Sequence, residues 1–97
     1  MIEKSKNPIT DEEGFILICA VRYAIGRQTY APHEVIDYIT PKLPRLSNKT
    51  LTVLFRDMND FVRDGILGDS TIDAPHCLTF FEDIRKEMKR RNLPERL

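Results

Sequence analysis

Apolar residues recur with a helical period over four stretches of the chain, and turn-forming residues separate them. Thr10-Asp11-Glu12-Glu13 reads as a capping box, a Thr hydroxyl and a Glu three residues later satisfying free backbone N–H groups. It opens a helix predicted over Asp11 to Ile25, with Gly26 as a left-handed C-terminal residue. From Phe15 to Ile25 only Arg22 and Tyr23 are polar. A helix apolar on every face is one surrounded by others, so this segment is predicted to be the central helix.

The connector Gly26 to Ala31 leads to Pro32, a favoured first helical residue, and to a second helix over Pro32 to Thr40 carrying Val35, Ile36 and Ile39. Pro41 ends it, because proline disfavours helical geometry in the residue before it. Pro41 to Leu46 reads as a stiff two-proline linker. Ser47 then caps a third helix whose apolar stripe is Leu51, Leu54, Phe55, Met58, Phe61 and Val62, with Arg56, Asp57, Asn59, Asp60 and Arg63 opposite. Gly65 and Gly68 open a loop through Asp73. Pro75 starts the last helix, with Cys77, Leu78, Phe81, Ile84 and Met88 as its stripe and Lys89-Arg90-Arg91 at its negative pole. The pattern predicts an all-α, compact four-helix domain over residues 10–92, between a flexible N-terminal arm (1–9) and a C-terminal tail (93–97).

Composition narrows the function classes. The 15 Lys and Arg balance 15 Asp and Glu in 97 residues, which argues against a polyanion binder working by bulk electrostatics. The longest apolar run, Phe15 to Val21, is far short of the roughly 20 residues of a bilayer span. No signal-peptide core follows Met1, so a cytoplasmic location with no membrane partner is expected. Cys19 and Cys77 fall at apolar helix positions, read as small reduced hydrophobes without the spacing of a zinc site.

Candidate chemistry is sparse. His33 and His76 each sit in a first helical turn after a proline and read as exposed and incidental. Asp64, Asp69 and Asp73 read as helix-end and turn aspartates, since the ligand order of a calcium loop is missing. No phosphate loop, nucleophile elbow or metal-binding helix motif is present; no catalytic residue, metal or cofactor is expected. The helix starting at Ser47 offers Asn48, Lys49, Thr50 and Thr52 as base- and phosphate-reaching groups, the basis for a DNA-binding regulator as the alternative function. Against it stand the long proline-containing turn before that helix and the lack of a strand pair after it. A second basic stretch, Arg85 to Arg91 with Arg85, Lys89 and Arg90 as its candidate contacts, is interleaved with Glu82, Asp83 and Glu87, which pair at i,i+3 and i,i+4 with Arg85, Lys86 and Arg91, and reads as a solvated helix end. Arg22, on an otherwise apolar surface, must pair or reach water; Asp37, Asp57 and Asp60 are its candidate partners, and contact with a ligand or another protein is the other reading.

The stretch Cys19-Ala20-Val21-Arg22-Tyr23-Ala24-Ile25-Gly26-Arg27-Gln28-Thr29-Tyr30, followed by Val35-Ile36-Asp37-Tyr38-Ile39, resembles a family of short uncharacterised proteins encoded by bacteriophages, plasmids and integrated mobile elements. Their shared pattern reads roughly C-A-x-R-Y-A-L-G-R-x-T-Y; here Ile25 takes the place of the commoner Leu. The resemblance implies a small accessory protein that binds a host or phage protein, for instance one that inhibits a host defence component. Arg27 and Tyr30, with Arg22, are the candidate anchors for such a partner, Arg and Tyr being enriched at binding hot spots. The competing reading has Gly26 to Tyr30 set the angle between the first two helices, with Tyr30 folding onto Val35 and Ile39. An enzyme or small-ligand protein built around Arg22 and Tyr23 is the third class considered.

Overall fold

A computed structural model describes residues 8–27, 32–64 and 74–95. The described residues form four α-helices and no strand: α1 (Asp11–Val21), α2 (Pro32–Ile39), α3 (Asn48–Arg63) and α4 (Ala74–Arg90). A π-helical turn, Arg22–Gly26, extends α1, and a 3-10 helix, Thr40–Arg45, extends α2. The all-α four-helix fold is therefore as the pattern predicts. The packed pairs are α1 with α2, α2 with α4, α4 with α3 and α3 with α1, a closed cycle around one core. Val21, Ile25, Ile39, Leu51, Leu54, Met58, Phe80, Ile84 and Met88 are all but sealed from solvent, and Phe55 stacks on Phe81 at 5.6 Å.

Local chemistry accounts for the helix starts. The Thr10 hydroxyl accepts from the Glu13 N–H at 3.2 Å, and the Ser47 hydroxyl accepts from the Thr50 N–H at 3.1 Å. The Ser47 hydroxyl also donates to the Asp11 carboxylate at 2.7 Å, tying the first turns of α1 and α3 together. These helices run parallel. Asp11 meets Ser47 and a Cβ on Gly14 would meet Thr50, an offset of 36; Arg22 meets Asp57 and a Cβ on Gly26 would meet Phe61, an offset of 35. Helix α1 thus gains one residue on α3 between Gly14 and Arg22, just ahead of the π-helical turn.

Several expectations change. Helix α1 is not central: Phe15, Ile16, Cys19 and Tyr23 are exposed, because α1 has helices on only part of its circumference. Cys19 is thus a surface thiol, while Cys77 is buried. Gly26 is not left-handed; the helix ends through the π-turn bond from the Arg27 N–H to the Arg22 carbonyl at 3.1 Å, and Arg27 has φ −99°. Gly26 matters instead for space, since a Cβ there would sit 3.0 Å from the Phe61 ring. The two-proline linker is the 3-10 helix itself: Pro41 falls in its first turn, where a backbone N–H has no partner within the helix, and Pro44 lies inside it. On α4, Leu78 is exposed and Phe80 takes its predicted core place. On α3, Val62 is exposed near the helix end.

The packed unit also reaches slightly past residues 10–92. Ile9 is buried, its N–H donating to the Arg45 carbonyl at 2.8 Å. At the other end Asn92 adopts φ 61°, with Leu93 N–H donating to the Met88 carbonyl and Asn92 N–H to that of Lys89. This is the Schellman way of ending a helix, and it lays Leu93 on the core. The rest of the proposed arm (1–7), Tyr30 with its connector, the loop 65–73 and residues 96–97 lie outside the described residues.

Candidate functional site

The most unusual surface is the outer side of α1. Phe15, Ile16, Cys19 and Tyr23 stand at helical spacings of one, four and eight, so they form one row; Phe15, Ile16 and Tyr23 are 59%, 65% and 56% exposed. The row is held rigidly, because Leu17, Ile18 and Val21 on the inner side of the same helix are buried.

A groove flanks the row on each side. Between α1 and α3 lies one of about 250 Å³, lined by Phe15, Ile18 and Val53 with Asp11, Arg22, Lys49 and Thr50 at its polar margins. Between α1 and α2 lies one of about 380 Å³, lined by Ile16, Leu17, Ala20, Val35, Tyr38 and Ile39, with Glu34 its single charged residue. Lys42 sits over the Tyr38 ring at 3.7 Å and donates to the Tyr38 carbonyl, holding that aromatic wall in place.

Arg22 lies at the end of the row. Its Nε donates to Asp57 Oδ2 at 2.7 Å and its Nη2 lies 3.3 Å from Oδ1, so Asp57 is the acidic partner among the three candidates. The Asp57 hydrogen bond raises the guanidinium above its ordinary range, and partial burial opposes it. Half the Arg22 side chain remains exposed, so it both braces α1 on α3 and forms part of the surface. Arg27 is exposed just beyond the π turn. Tyr30, its proposed companion, lies outside the described residues.

The alternative nucleic-acid set is dispersed and largely engaged. Thr50 is buried against Gly14, and the Asn48 side-chain carbonyl accepts from Arg91 at 3.0 Å. Lys49 is exposed. Far along the fold, Arg85 pairs with Glu82 and Glu95, and Arg90 pairs with Glu87, while Lys89 is exposed. Of the residues meant to read bases at the start of α3, two are turned to protein contacts.

Two arrangements went beyond sequence reasoning. The pairing of Arg91 with Glu87 at i,i+4 is as expected, but Arg91 is also a hub: its guanidinium donates to the carbonyls of Leu43, Pro44 and Leu46 and to Asn48, clamping the 3-10 helix onto the end of α4. Glu87, buried inside α4, also accepts from Arg90; that bond first, then the one from Arg91, holds its carboxyl below the ordinary range against the cost of burial. The second is a histidine pair. His33 and His76 stack with ring centres 4.1 Å apart, and His76 Nε2 lies 3.0 Å from Asp37 Oδ1, joining α2 to α4. The only hint in the sequence was that both follow a proline in a first helical turn.

Among the described residues no cluster of His, Cys, Asp and Glu is arranged to hold a metal ion, and no helix is long and apolar enough to cross a membrane. No family model matches this chain, and no curated protein or solved structure is significantly similar to it.

Proposed function

We propose that this chain is a protein-binding domain without catalytic chemistry of its own, and that the outer face of α1 is its binding surface. The observation that carries the reading is the row Phe15, Ile16, Cys19 and Tyr23, exposed together between two apolar grooves. Single exposed apolar residues are ordinary, but a continuous row with concave apolar flanks is the kind of surface a partner covers. Two exposed aromatics and a half-exposed arginine beside them are the residue types that anchor protein interfaces. The row belongs to a helix already fixed by its buried side, so little order need be created on binding. The resemblance carried by the sequence from Cys19 to Tyr30 supports the setting: an accessory product of a phage, plasmid or integrated element, acting in the cytoplasm on a host or phage protein such as a defence component.

The test compares capture and stability in the same variants. Ile16→Glu and Phe15→Ala should melt within about 0.5 kcal/mol of the parent, since both positions are exposed. Affinity capture from host cells should lose its specific partner in both. Retention of every specific partner by both variants would overturn the reading.

A further inference from the structure

The outer face of α1 is self-complementary in charge as well as apolar. Its first turn is acidic, with Asp11, Glu12 and Glu13, and the basic residues Arg22 and Arg27 lie at and beyond its other end. Glu12, Glu13 and Arg27 are exposed, and half of Arg22 is exposed. Cys19, a small residue, falls near the midpoint between Asp11 and Gly26, with the bulky Phe15 and Ile16 on one side and Tyr23 on the other.

We propose that the occupant of this face is a second copy of the chain, packed antiparallel about a two-fold axis through Cys19. The proposal rests on reading the α1 face as the binding surface and names its partner. A two-fold interface needs one patch to match itself in reverse, and this one does. With Cys19 opposite Cys19, Phe15 falls opposite Tyr23 of the second copy and Ile16 opposite the stem of its Arg22. The acidic first turn then lies alongside Arg27 of the second copy. A parallel arrangement would set acidic turn against acidic turn and is disfavoured. The small central residue suits two helices crossing at an angle, closest at the axis and parting where the large side chains fill the gap. From Asp11 to Gly26 the helix rises about 24 Å. A seam of that length and about 10 Å, one helix, wide is narrow beside the roughly 800 Å² per partner of a standard stable interface, so the proposal is of a reversible dimer. A target with a similar apolar helix competes with the second copy for the same residues.

Sedimentation equilibrium of the purified full chain tests this directly. The weight-average mass should climb from 11.3 kDa toward twice that value across the micromolar range. A short bis-maleimide should trap the dimer through Cys19, in the parent and in Cys77→Ala but not in Cys19→Ser. Glu12→Arg and Arg27→Glu should each weaken association about tenfold, and the two together should restore it, because the head-to-tail charges are then exchanged. A chain that stays monomeric through several hundred micromolar overturns the proposal. So does a dimer that cannot be trapped at Cys19, or one in which the double charge exchange fails to rescue. If the chain is monomeric and Ile16→Glu still abolishes capture of another protein, the dimer falls and the binding face stands. If Ile16→Glu leaves both association and capture at the parental level, both readings fall.

Discussion

Arg22 on α1 and Asp57 on α3 are joined by a hydrogen-bonded ion pair, Nε to Oδ2 at 2.7 Å, across two helices that run parallel. The pair sits between the α1–α3 groove and the π turn, so it keeps the outer row of α1 in register with α3. Because half of Arg22 is in solvent, the pair is worth only about 0.5–1 kcal/mol. A double-mutant cycle with Arg22→Ala and Asp57→Ala, read by urea denaturation, should return a coupling energy in that range. The same coupling should shrink as salt is raised, since screening weakens exposed pairs.

Arg91 should matter far more to stability than any other basic residue. Only 14% of its side chain is exposed, and removing it strips partners from the Leu43 and Leu46 carbonyls and one from Glu87. Arg91→Ala is expected to cost about 3 kcal/mol, which lowers the melting temperature by roughly 12–24 °C in a domain of this size. Arg91→Lys should rescue little, because a single ammonium cannot reproduce a planar fork of donors spread over several acceptors. Thermal melts of the two variants check this.

Acidification should loosen the same region. Glu87 is held below its ordinary range chiefly by its hydrogen bond from Arg90, then by that from Arg91. A carboxyl depressed in the folded state contributes stability above its unfolded value and loses it as pH falls through the folded value. The parent should therefore lose stability progressively below the ordinary carboxylate range. Glu87→Gln should be less stable at neutral pH by about 1–3 kcal/mol and show a flatter acid limb. Denaturation midpoints across the acidic range measure both.

Gly14 offers a test in which local preference and packing oppose each other. Alanine is the better helix former by about 1 kcal/mol. Yet a Cβ at Gly14 would lie 2.6 Å from Thr50 Oγ1 and 2.9 Å from its Cγ2, so rotating the buried threonine brings no relief. Gly14→Ala should destabilise by about 1–3 kcal/mol through overpacking. Adding Thr50→Ser, which removes the methyl, should recover part of the loss. A net gain in melting temperature for Gly14→Ala would contradict the close approach of α1 to α3.

Ala20 lies half-buried beside the α1–α2 groove, and not among helices on every side. Ala20→Glu should consequently fold, with a carboxylate that reaches water near Glu34 and a modest loss of about 1 kcal/mol. A cooperative melt followed by circular dichroism is the expected outcome. An unfolded variant would return α1 to the middle of the molecule.

Where helices begin and end is written into short runs of sequence. Thr10 and Ser47 cap because their hydroxyls reach N–H groups three residues on, and Pro41 stops the α-helical part of α2 because of the clash with the residue before it. The core side of α3 was equally plain, since polar residues mark its other side. Helix α1 carried no such mark. Apolar around most of its circumference, it is compatible with burial on any side, and only the positions of α2 and α3 decided that Phe15, Ile16, Cys19 and Tyr23 face outward. The exposed outer face of α1 was hidden for that reason, although Arg22 pointed to its edge. The carbonyl partners of Arg91 and the His33–His76 stack were hidden for another: those partners lie more than forty residues away in the chain, and no spacing rule spans such a distance. Local sequence determined the elements through backbone chemistry within a single turn. Tertiary structure decided their exposure, because burial depends on which surfaces remain once all four helices have packed.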